Sequence, residues 1–322
     1  MRTVILIDAR NFCHRHGYTH RGLSANGHPT GMLYGCISGM MRLSRLHPNA
    51  AIVFVWDGDN AKESWRHKIS KIYKDNRTPK EAKSKLKPEV KAMWAQIPVF
   101  EAFLKNLGFR QLKVKSLEAD DLIGILAFHV RTMVDKVVVY SSDRDFYQFI
   151  STEIDICRDI DKTRNCKPHT ARMLRKEFGV GPRDWLKYRA LVGDKGDRIL
   201  GIPGIGPKRA IELLSVGVDA SKAKCKIKDT KHKKIGYVKK NWPHVRLNYK
   251  LSRILRSSGA KILSLATAKE CNVLLRQIKA FDDLFRHSDG KTKKVYRWMI
   301  QWFAEREMND LMERRLELWK LL

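Results

Sequence analysis

The stretches "LEADDLIGI" (117–125) and "VVVYSSDRDF" (137–146) decide the fold, because both place clustered acids directly beside apolar runs. The first brings Glu118, Asp120 and Asp121 together, and the second brings Asp143 and Asp145 together. Neighbouring carboxylates repel each other, and the repulsion favours protonation of some of them. Such clusters are typical of sites where a divalent cation supplies the compensating charge. Acids in the first turn of a helix also suit the helix dipole, which is a purely structural explanation for 118–121.

Short apolar runs alternate with helical patterns along the first half of the chain. Runs rich in Val and Ile predict buried strands at 3–9, 51–57, 109–114, 136–142 and 153–158. Apolar residues at helical spacing predict helices at 31–46, 89–108 and 118–134. This alternation indicates an α/β fold with a parallel sheet, whose ligand sites lie beyond the carboxyl ends of the strands. We therefore expect Asp8, Asp57, Asp143 and Asp145 to meet at that edge.

The charge balance indicates a polyanionic partner. The 322 residues include 64 Lys and Arg against 34 Asp and Glu, a formal net charge of +30. Nucleic acid is the first such partner, and an anionic membrane surface is the alternative. The sequence has no apolar run of about 18 residues, so we expect no membrane-spanning helix. The six cysteines show no CxxC spacing, which favours reduced thiols in a cytoplasmic protein over structural zinc.

Two basic segments suit contacts with a nucleic acid. The stretch 61–90 carries Trp65 and Tyr73 among many basic residues, and it is longer than an ordinary connection between a strand and a helix. Basic side chains interleaved with aromatic rings are typical of single-strand binding, although a solvated helix with two packing aromatics would look the same. The stretch 222–241 has nine lysines and one aspartate, and it predicts a mobile basic loop or a phosphate-binding face.

The stretch "GIPGIGPK" (201–208) predicts a hairpin between two helices. Glycines allow close approach of the backbone to a ligand, and a helix that begins at Pro207 and Lys208 favours a phosphate at its N-terminus. This is the pattern of a helix–hairpin–helix, which clamps duplex backbone without reading sequence. Asp194 and Asp197 lie just before the hairpin and strengthen that interpretation. The helical pattern after about residue 260 predicts packing or partner-binding helices.

Six motifs, taken in order, resemble the flap endonuclease family of structure-specific 5′-nucleases. They are "ILIDARN", "FVWDGD", "YKDNR", "EADDLIG", "SSDRDFYQF" and "GDKGDRILGIPGIGPKRA". The resemblance covers about residues 1–258 and looks closest to the phage enzymes and the 5′-nuclease domain of bacterial DNA polymerase I. It implies a PIN-like parallel-sheet nuclease core at 1–175, with a helical arch at about 61–90. A helix–three-turn–helix DNA-binding region and C-terminal helices would follow at 176–322.

The resemblance also implies roles for individual residues. Asp8, Asp57, Glu118, Asp120, Asp121 and Asp143 match the first metal site, and Asp143, Asp145, Asp194 and Asp197 match the second. Lys74 and Arg77 match arch cations that handle the scissile phosphate, so they and Asp143 are the expected catalytic residues, while Tyr73 matches a position that stacks a base. Duplex backbone would be held by Gly201, Gly204, Gly206, Lys208 and Arg209 of the hairpin, and by Lys231, Lys233 and Lys234.

The implied activity is that of a 5′-3′ exonuclease or flap endonuclease acting in primer removal or repair. It would use two Mg²⁺ ions, with Mn²⁺ as a substitute and K⁺ at the 201–206 hairpin. The substrate would be flapped or branched DNA with a 5′ single strand, with RNA–DNA hybrids as a further candidate. We expect a monomer in the cytoplasm, or in the host cytoplasm if a phage encodes it, with a replication protein bound by the C-terminal helices. Two alternatives stay open: a nuclease-derived DNA-binding module that no longer cuts, and a haloacid dehalogenase-type phosphatase, suggested by "DGD" at 57–59.

Overall fold

The computed structural model describes most of the first 256 residues. The described ranges are 3–25, 27–47, 50–59, 64–75, 87–115, 117–158, 166–225, 227 and 234–256. Arg77, Lys231, Lys233, most of the predicted arch and the predicted C-terminal helices lie outside these ranges.

A parallel sheet forms the centre of the described part of the chain. The strands are β1 (Thr3–Asp8), β2 (Ser24–Ala25), β3 (His28–Pro29), β4 (Ala50–Trp56), β5 (Arg110–Lys113), β6 (Lys136–Tyr140), β7 (Ile154–Cys157), β8 (Gly193–Asp194) and β9 (Ile199–Leu200). Among these residues, five strands pair in the order β5-β4-β1-β6-β7, each parallel to its neighbour. The α/β fold and all five predicted strands are confirmed. The pairs β2–β3 and β8–β9 are short antiparallel ladders.

Helices cover both faces of the sheet. They are α1 (Ala9–Thr19), α2 (Gly31–Leu46), α3 (Trp65–Ile69), α4 (Pro88–Ala95), α5 (Ile97–Asn106), α6 (Ala119–Val130), α7 (Ala171–Phe178), α8 (Pro182–Val192), α9 (Pro207–Ser215), α10 (Ile235–Lys240) and α11 (Trp242–Ser252), with a 3₁₀ helix at Arg144–Phe149. Side chains of β1 alternate between the two layers: Val4 and Leu6 pack in one core, and Ile5 and Ile7 pack in the other. Burial on both sides explains why β1 is a continuous apolar run.

The helix predicted at 89–108 is two helices, α4 and α5, which meet at Gln96. Pro98 lies in the first turn of α5. Proline lacks the N–H that a continuous helix would use, and its ring would clash with the carbonyl one turn earlier. The sequence therefore has a helix break that the apolar spacing alone does not show. Gly108 then follows α5 with φ at 78°, a left-handed conformation that glycine adopts easily.

The cysteines differ from what the composition predicts. Cys157, at the end of β7, is paired with Cys166 in a disulfide, so the expectation of reduced thiols is wrong for these two residues. Their α-carbons lie 6.0 Å apart, which is within reach of a disulfide. Cys13 and Cys36 are free and buried. None of the helices in the described ranges is long and apolar enough to cross a bilayer.

Candidate metal centre and nucleic-acid interface

Asp8 ends β1 at the carboxyl edge of the sheet, where it caps the next helix. Its Oδ1 accepts a hydrogen bond of 3.1 Å from the backbone N–H of Asn11, and its Oδ2 accepts one of 2.9 Å from the Ser141 hydroxyl. Burial, with the nearby carboxylates of Asp57 and Asp143, raises the pKa of Asp8 to about 7. The acids at the ends of β1, β4 and β6 therefore act on one another, as their positions in the sequence predict.

Asp57 and Asp143 are fixed by backbone N–H groups. Asp57 follows β4, and its Oδ1 accepts a 2.9 Å hydrogen bond from the N–H of Ala119 at the start of α6. Asp143 caps the 3₁₀ helix, with its Oδ1 2.8 Å from the N–H of Asp145. Each carboxylate is thus held by an element that begins at the sheet edge, which orients it before any ligand arrives.

A second group of acids lies beside the first. One carboxylate oxygen from each of Asp145, Asp194 and Asp197 lies within 4.8 Å of the others. Burial and the Asp143 carboxylate raise the pKa of Asp145 to about 7. Close, partly buried carboxylates fit a divalent cation with oxygen ligands, since Mg²⁺ prefers such ligands and keeps some of its waters. The donor set of this group therefore fits the metal that the sequence predicts.

Arg189 belongs to this second group, and sequence reasoning missed it. It lies on α8, and its Nη2 is 3.1 Å from Asp145 Oδ1 and also contacts Asp194. Its Nη1 donates to the carbonyl of Gly193 at 3.1 Å, which fixes the guanidinium. A signal was available: α8 runs directly into "GD" at 193–194, so a cation in its last turn lies close to Asp194.

Glu118 and Asp120 lie at the start of α6 with unlike environments. Glu118 accepts hydrogen bonds from Ser64 at 3.1 Å and contacts Arg66 at 3.3 Å. Burial opposes the charge, but the cations Arg66 and Lys74 lower the pKa of Glu118 to about 2. For Asp120, burial raises the pKa well above its usual value, Lys74 opposes this, and the Glu118 carboxylate adds to it. An added cation would therefore stabilise the charged form of Asp120 more than that of Glu118.

Asp121 has another role than the predicted one. It is fully buried, and both of its oxygens are occupied by protein donors. Oδ1 accepts from Arg66 Nη2 at 2.8 Å and from the N–H of Leu255 at 3.0 Å, and Oδ2 accepts from Trp65 Nε1 at 2.7 Å and Arg66 Nη1 at 2.9 Å. No oxygen is left to face a metal. We therefore correct the assignment of Asp121 from metal ligand to partner of a buried guanidinium.

Lys74 lies among the acids of both groups. Its ammonium pairs with Glu118, and it is 3.9 Å from Asp197 Oδ2. Burial would lower the pKa of Lys74, but Asp120 and Glu118 raise it well above its usual value, so the side chain is charged. The predicted arch cation therefore lies between acids of both groups.

Tyr73 does not occupy the predicted base-stacking position. The side chain is 2% exposed, and it packs with Ile199 and Leu251. Its hydroxyl donates to Glu118 at 3.3 Å, and the Lys74 ammonium lies 4.9 Å from the ring centroid. A ring enclosed in this way has no free face for a base. We correct its role to packing between the 71–75 turn and β9.

The predicted hairpin connects β9 to α9, and its glycines differ in function. A side chain at Gly201 would place its first carbon 2.1 Å from the Val192 carbonyl oxygen, so packing alone explains this glycine. Gly204 has φ at 72°, and a side chain at Gly206 would meet nothing within 4 Å. Gly204 and Gly206 are exposed and leave the backbone open to a ligand. Their role in binding stays a prediction, whereas the glycine at 201 has a structural explanation.

Basic side chains follow the open part of the hairpin along the chain. Lys208 and Arg209 are exposed in the first turn of α9, and Arg209 Nη1 donates to the Gly204 carbonyl at 2.6 Å. Lys234 precedes α10, with its ammonium 5.5 Å from the Tyr237 ring centroid. Cations and a helix N-terminus beside open backbone are suited to a phosphate.

Comparisons with known proteins agree with this site. The family described as "5'-3' exonuclease, N-terminal resolvase-like domain" matches residues 3–179. A 5′-3′ exonuclease of Aquifex aeolicus is 34% identical over 215 residues, which cover 66% of this chain and 69% of that protein. Flap endonuclease Xni of Shewanella woodyi is 28% identical over 254 residues, which cover 79% of this chain and 93% of that protein.

A solved structure has the same fold. The D15 flap endonuclease of bacteriophage T5, in a pseudo-enzyme-product complex with DNA and metal ions, superposes with a TM-score of 0.64 at 18% identity. The superposition covers 86% of this chain and 100% of that one. More than half of this chain matches the family, and the acids converge at the expected edge of the sheet. This chain belongs to the family of 5′-3′ exonucleases and flap endonucleases.

Proposed function

We propose that this protein cuts DNA at the junction between a 5′ single strand and a duplex, with two Mg²⁺ ions held by its two acid groups. Family membership makes it a phosphodiester hydrolase that acts on DNA, and it removes the haloacid dehalogenase alternative. The observation that carries the finer proposal is the position of Lys74 among both acid groups, with the open hairpin following one of them.

The contacts of the acids indicate which residues would hold the metals. Asp8, Asp57, Asp120 and Asp143 would hold one ion, with Glu118 beside them, and Asp145, Asp194 and Asp197 would hold the other. When bound, a pair of divalent ions supplies an activated water and stabilises the charge on the leaving oxygen. Arg189 keeps Asp145 and Asp194 together and lowers the repulsion between them.

Lys74 would act on the phosphate itself. Its ammonium is charged and enclosed, and a preorganised cation in such a setting stabilises the charge that grows on phosphoryl oxygens. Arg77 lies outside the described residues, and its role beside Lys74 stays a prediction. No side chain in this arrangement needs to form a covalent intermediate.

Gly204, Gly206, Lys208 and Arg209 would hold the duplex by its backbone. Contacts of this kind position a substrate without reading its sequence. The predicted phosphate contacts of Lys231, Lys233 and Lys234 would add to this binding. Cutting near the junction would then result from the short segment 198–200, which separates Asp197 from the clamp.

The finer expectations remain proposals. They are the division into a core at 1–175 and a DNA-binding region at 176–322, action on RNA–DNA hybrids, Mn²⁺ as a substitute, K⁺ at the hairpin, a monomeric state, a replication partner, a cytoplasmic location and a phage origin. None of them affects the experiment that tests the cutting activity.

Cleavage of a labelled 5′-flap substrate by Asp143→Ala and Asp155→Asn variants tests the proposal. We expect the Asp143→Ala variant to lose most turnover and to bind the flap at least as tightly, because a negative charge near phosphate is removed. Asp155 pairs with Lys136 on the sheet, so Asp155→Asn is the matched control and should cut normally. Wild-type protein that binds flaps but leaves them intact in Mg²⁺ would support the inactive DNA-binding module instead.

A further inference from the structure

Two segments that are far apart in sequence meet beside Lys74. One is the turn 71–75, and the other is the loop 194–198, which contributes Asp194 and Asp197 to the second acid group. The N–H of Lys74 donates to the Asp197 carbonyl at 3.1 Å. Arg198 Nη1 lies 2.8 Å from Asp75 Oδ1 and 3.1 Å from Asp75 Oδ2. The two bonds join the segments at adjacent positions, so each one limits rotation about the other.

The backbone at this junction is in an unfavourable conformation. Lys74 has φ at 51° and Arg198 has φ at 55°, and they are the non-glycine residues with positive φ in the described part of the chain. The left-handed region is costly for residues with long side chains, and it persists only where surrounding contacts enforce it. Both strained residues lie at the one place where the two segments touch. The contacts between the segments therefore enforce the direction in which the Lys74 side chain leaves the backbone.

Stability alone does not explain the Asp75–Arg198 pair. Its side chains are 39% and 51% exposed, and exposed ion pairs add little to the free energy of folding. Buried contacts already hold the segments together, because Tyr73 packs with Ile199 and Leu251. The pair is instead next in sequence to two groups of the active site, since Asp75 follows Lys74 and Arg198 follows Asp197.

We propose that Asp75 and Arg198 are positioning residues that hold the Lys74 ammonium over the two acid groups. The pair also joins the turn that carries Lys74 to the loop that leads into the hairpin. Duplex bound at the hairpin and the Lys74 ammonium would therefore be held in position by the same contacts. This inference rests on the proposed function, because it concerns Lys74 in the cutting step.

Asp75 and Arg198 carry opposite charges, so their substitutions should change DNA affinity in opposite directions while both lower the cutting rate. Arg198→Asn removes a cation and should weaken DNA binding, whereas Asp75→Asn removes an anion and should strengthen it slightly. Asparagine tolerates the left-handed region, so neither change forces a new backbone conformation. We expect both variants to lower the single-turnover rate at saturating enzyme by about threefold to tenfold. This is somewhat more than the loss of an exposed ion pair alone would cause, because the backbone of two strained residues is released at the same time.

The control is the Lys136–Asp155 pair, which is also partly exposed and lies away from the acids. Lys136→Gln and Asp155→Asn should leave the single-turnover rate unchanged. In a Lys74→Ala background, Arg198→Asn and Asp75→Asn should cost little further rate, because the group they position is gone. Thermal unfolding of each variant confirms that the protein compared is folded.

The outcomes are separable. Unchanged saturated rates in both single variants, while the wild type cuts, would overturn the inference and leave the proposed function standing. Equal losses with and without Lys74 would also overturn it, because the pair would then act by another route. Failure of the wild type to cut any flap would overturn the proposed function and this inference with it.

Discussion

Replacing Asp121 by Asn separates a role in folding from a role in metal binding. Asp121 receives two hydrogen bonds from Arg66, one from Trp65 and one from the Leu255 backbone, and both Asp121 and Arg66 are buried. The change removes the charge of Asp121, so the buried Arg66 guanidinium keeps only the Glu118 carboxylate, 3.3 Å away. Removing one partner of a buried pair typically costs about 3–5 kcal/mol. With about 2.1 cal/mol/K of unfolding entropy per residue, that loss lowers the unfolding midpoint of a chain of this size by roughly 4–7 °C.

The assay is thermal unfolding followed by circular dichroism, with and without Mg²⁺. Mg²⁺ should raise the midpoint of the Asp121→Asn variant by as much as it raises that of the wild type, because its ligands are intact. The matched variant Asp145→Asn should behave in the opposite way, with a small effect on the metal-free midpoint and a reduced response to Mg²⁺. A double variant, Arg66→Met with Asp121→Leu, should be less destabilised than Asp121→Asn, since it leaves no unpaired charge.

One result would refute this reasoning. An Asp121→Asn variant with a normal midpoint but no response to Mg²⁺ would show that Asp121 binds the metal and that its contacts with Arg66 contribute little.

Three further predictions concern the site and its surroundings. Lys74→Ala should lower the single-turnover rate by on the order of 10²-fold and lower flap affinity much less, because many other cations attract DNA; a variant that binds worse but cuts normally at saturation would contradict this. Mg²⁺ should raise the wild-type unfolding midpoint at neutral pH, because bound ligand favours the folded state. It would also offset the burial and the repulsion between carboxylates that raise the pKa of Asp8 and Asp145, and a calorimetric titration should show the same binding. Burial and the nearby cations lower the pKa of His16 to about 3. As the pH drops below about 6.5, the histidine therefore becomes protonated in the unfolded chain before it does in the folded protein, and stability should fall. A His16→Gln variant should lose less stability over that range, and a pH profile identical to that of the wild type would exclude the effect.

The sheet and its acids could be predicted from the sequence because buried strands have a simple residue pattern. Strands covered on both faces become continuous apolar runs, and their carboxyl ends share one edge. Asp8, Asp57 and Asp143 each lie at the end of such a run, so their proximity could be predicted without knowing any contacts between distant residues.

The errors concern residues whose partners lie far away in sequence. Asp120 and Asp121 are adjacent on a helix and point in different directions, and the buried partner of Asp121 is Arg66, one cation in a long basic stretch. Tyr73 in the same stretch is covered by Ile199 and Leu251, more than a hundred residues further on. Composition shows that the segment is basic and aromatic, but only tertiary packing decides which side chains are buried.

The contacts of Arg66 also bear on which part of the chain can exist alone. Its Nε donates to the Leu251 carbonyl and its Nη2 to the Arg253 carbonyl, both at 2.9 Å, while the Leu255 N–H completes the set around Asp121. The family match ends at residue 179, yet these three backbone groups come from beyond it. A fragment cut at that boundary would retain every acid except Asp194 and Asp197, and it would also expose a buried cation with half of its acceptors missing. We therefore expect a fragment that ends at residue 179 to be less stable than the whole chain, because the segment 251–255 supplies contacts to Arg66 and Asp121.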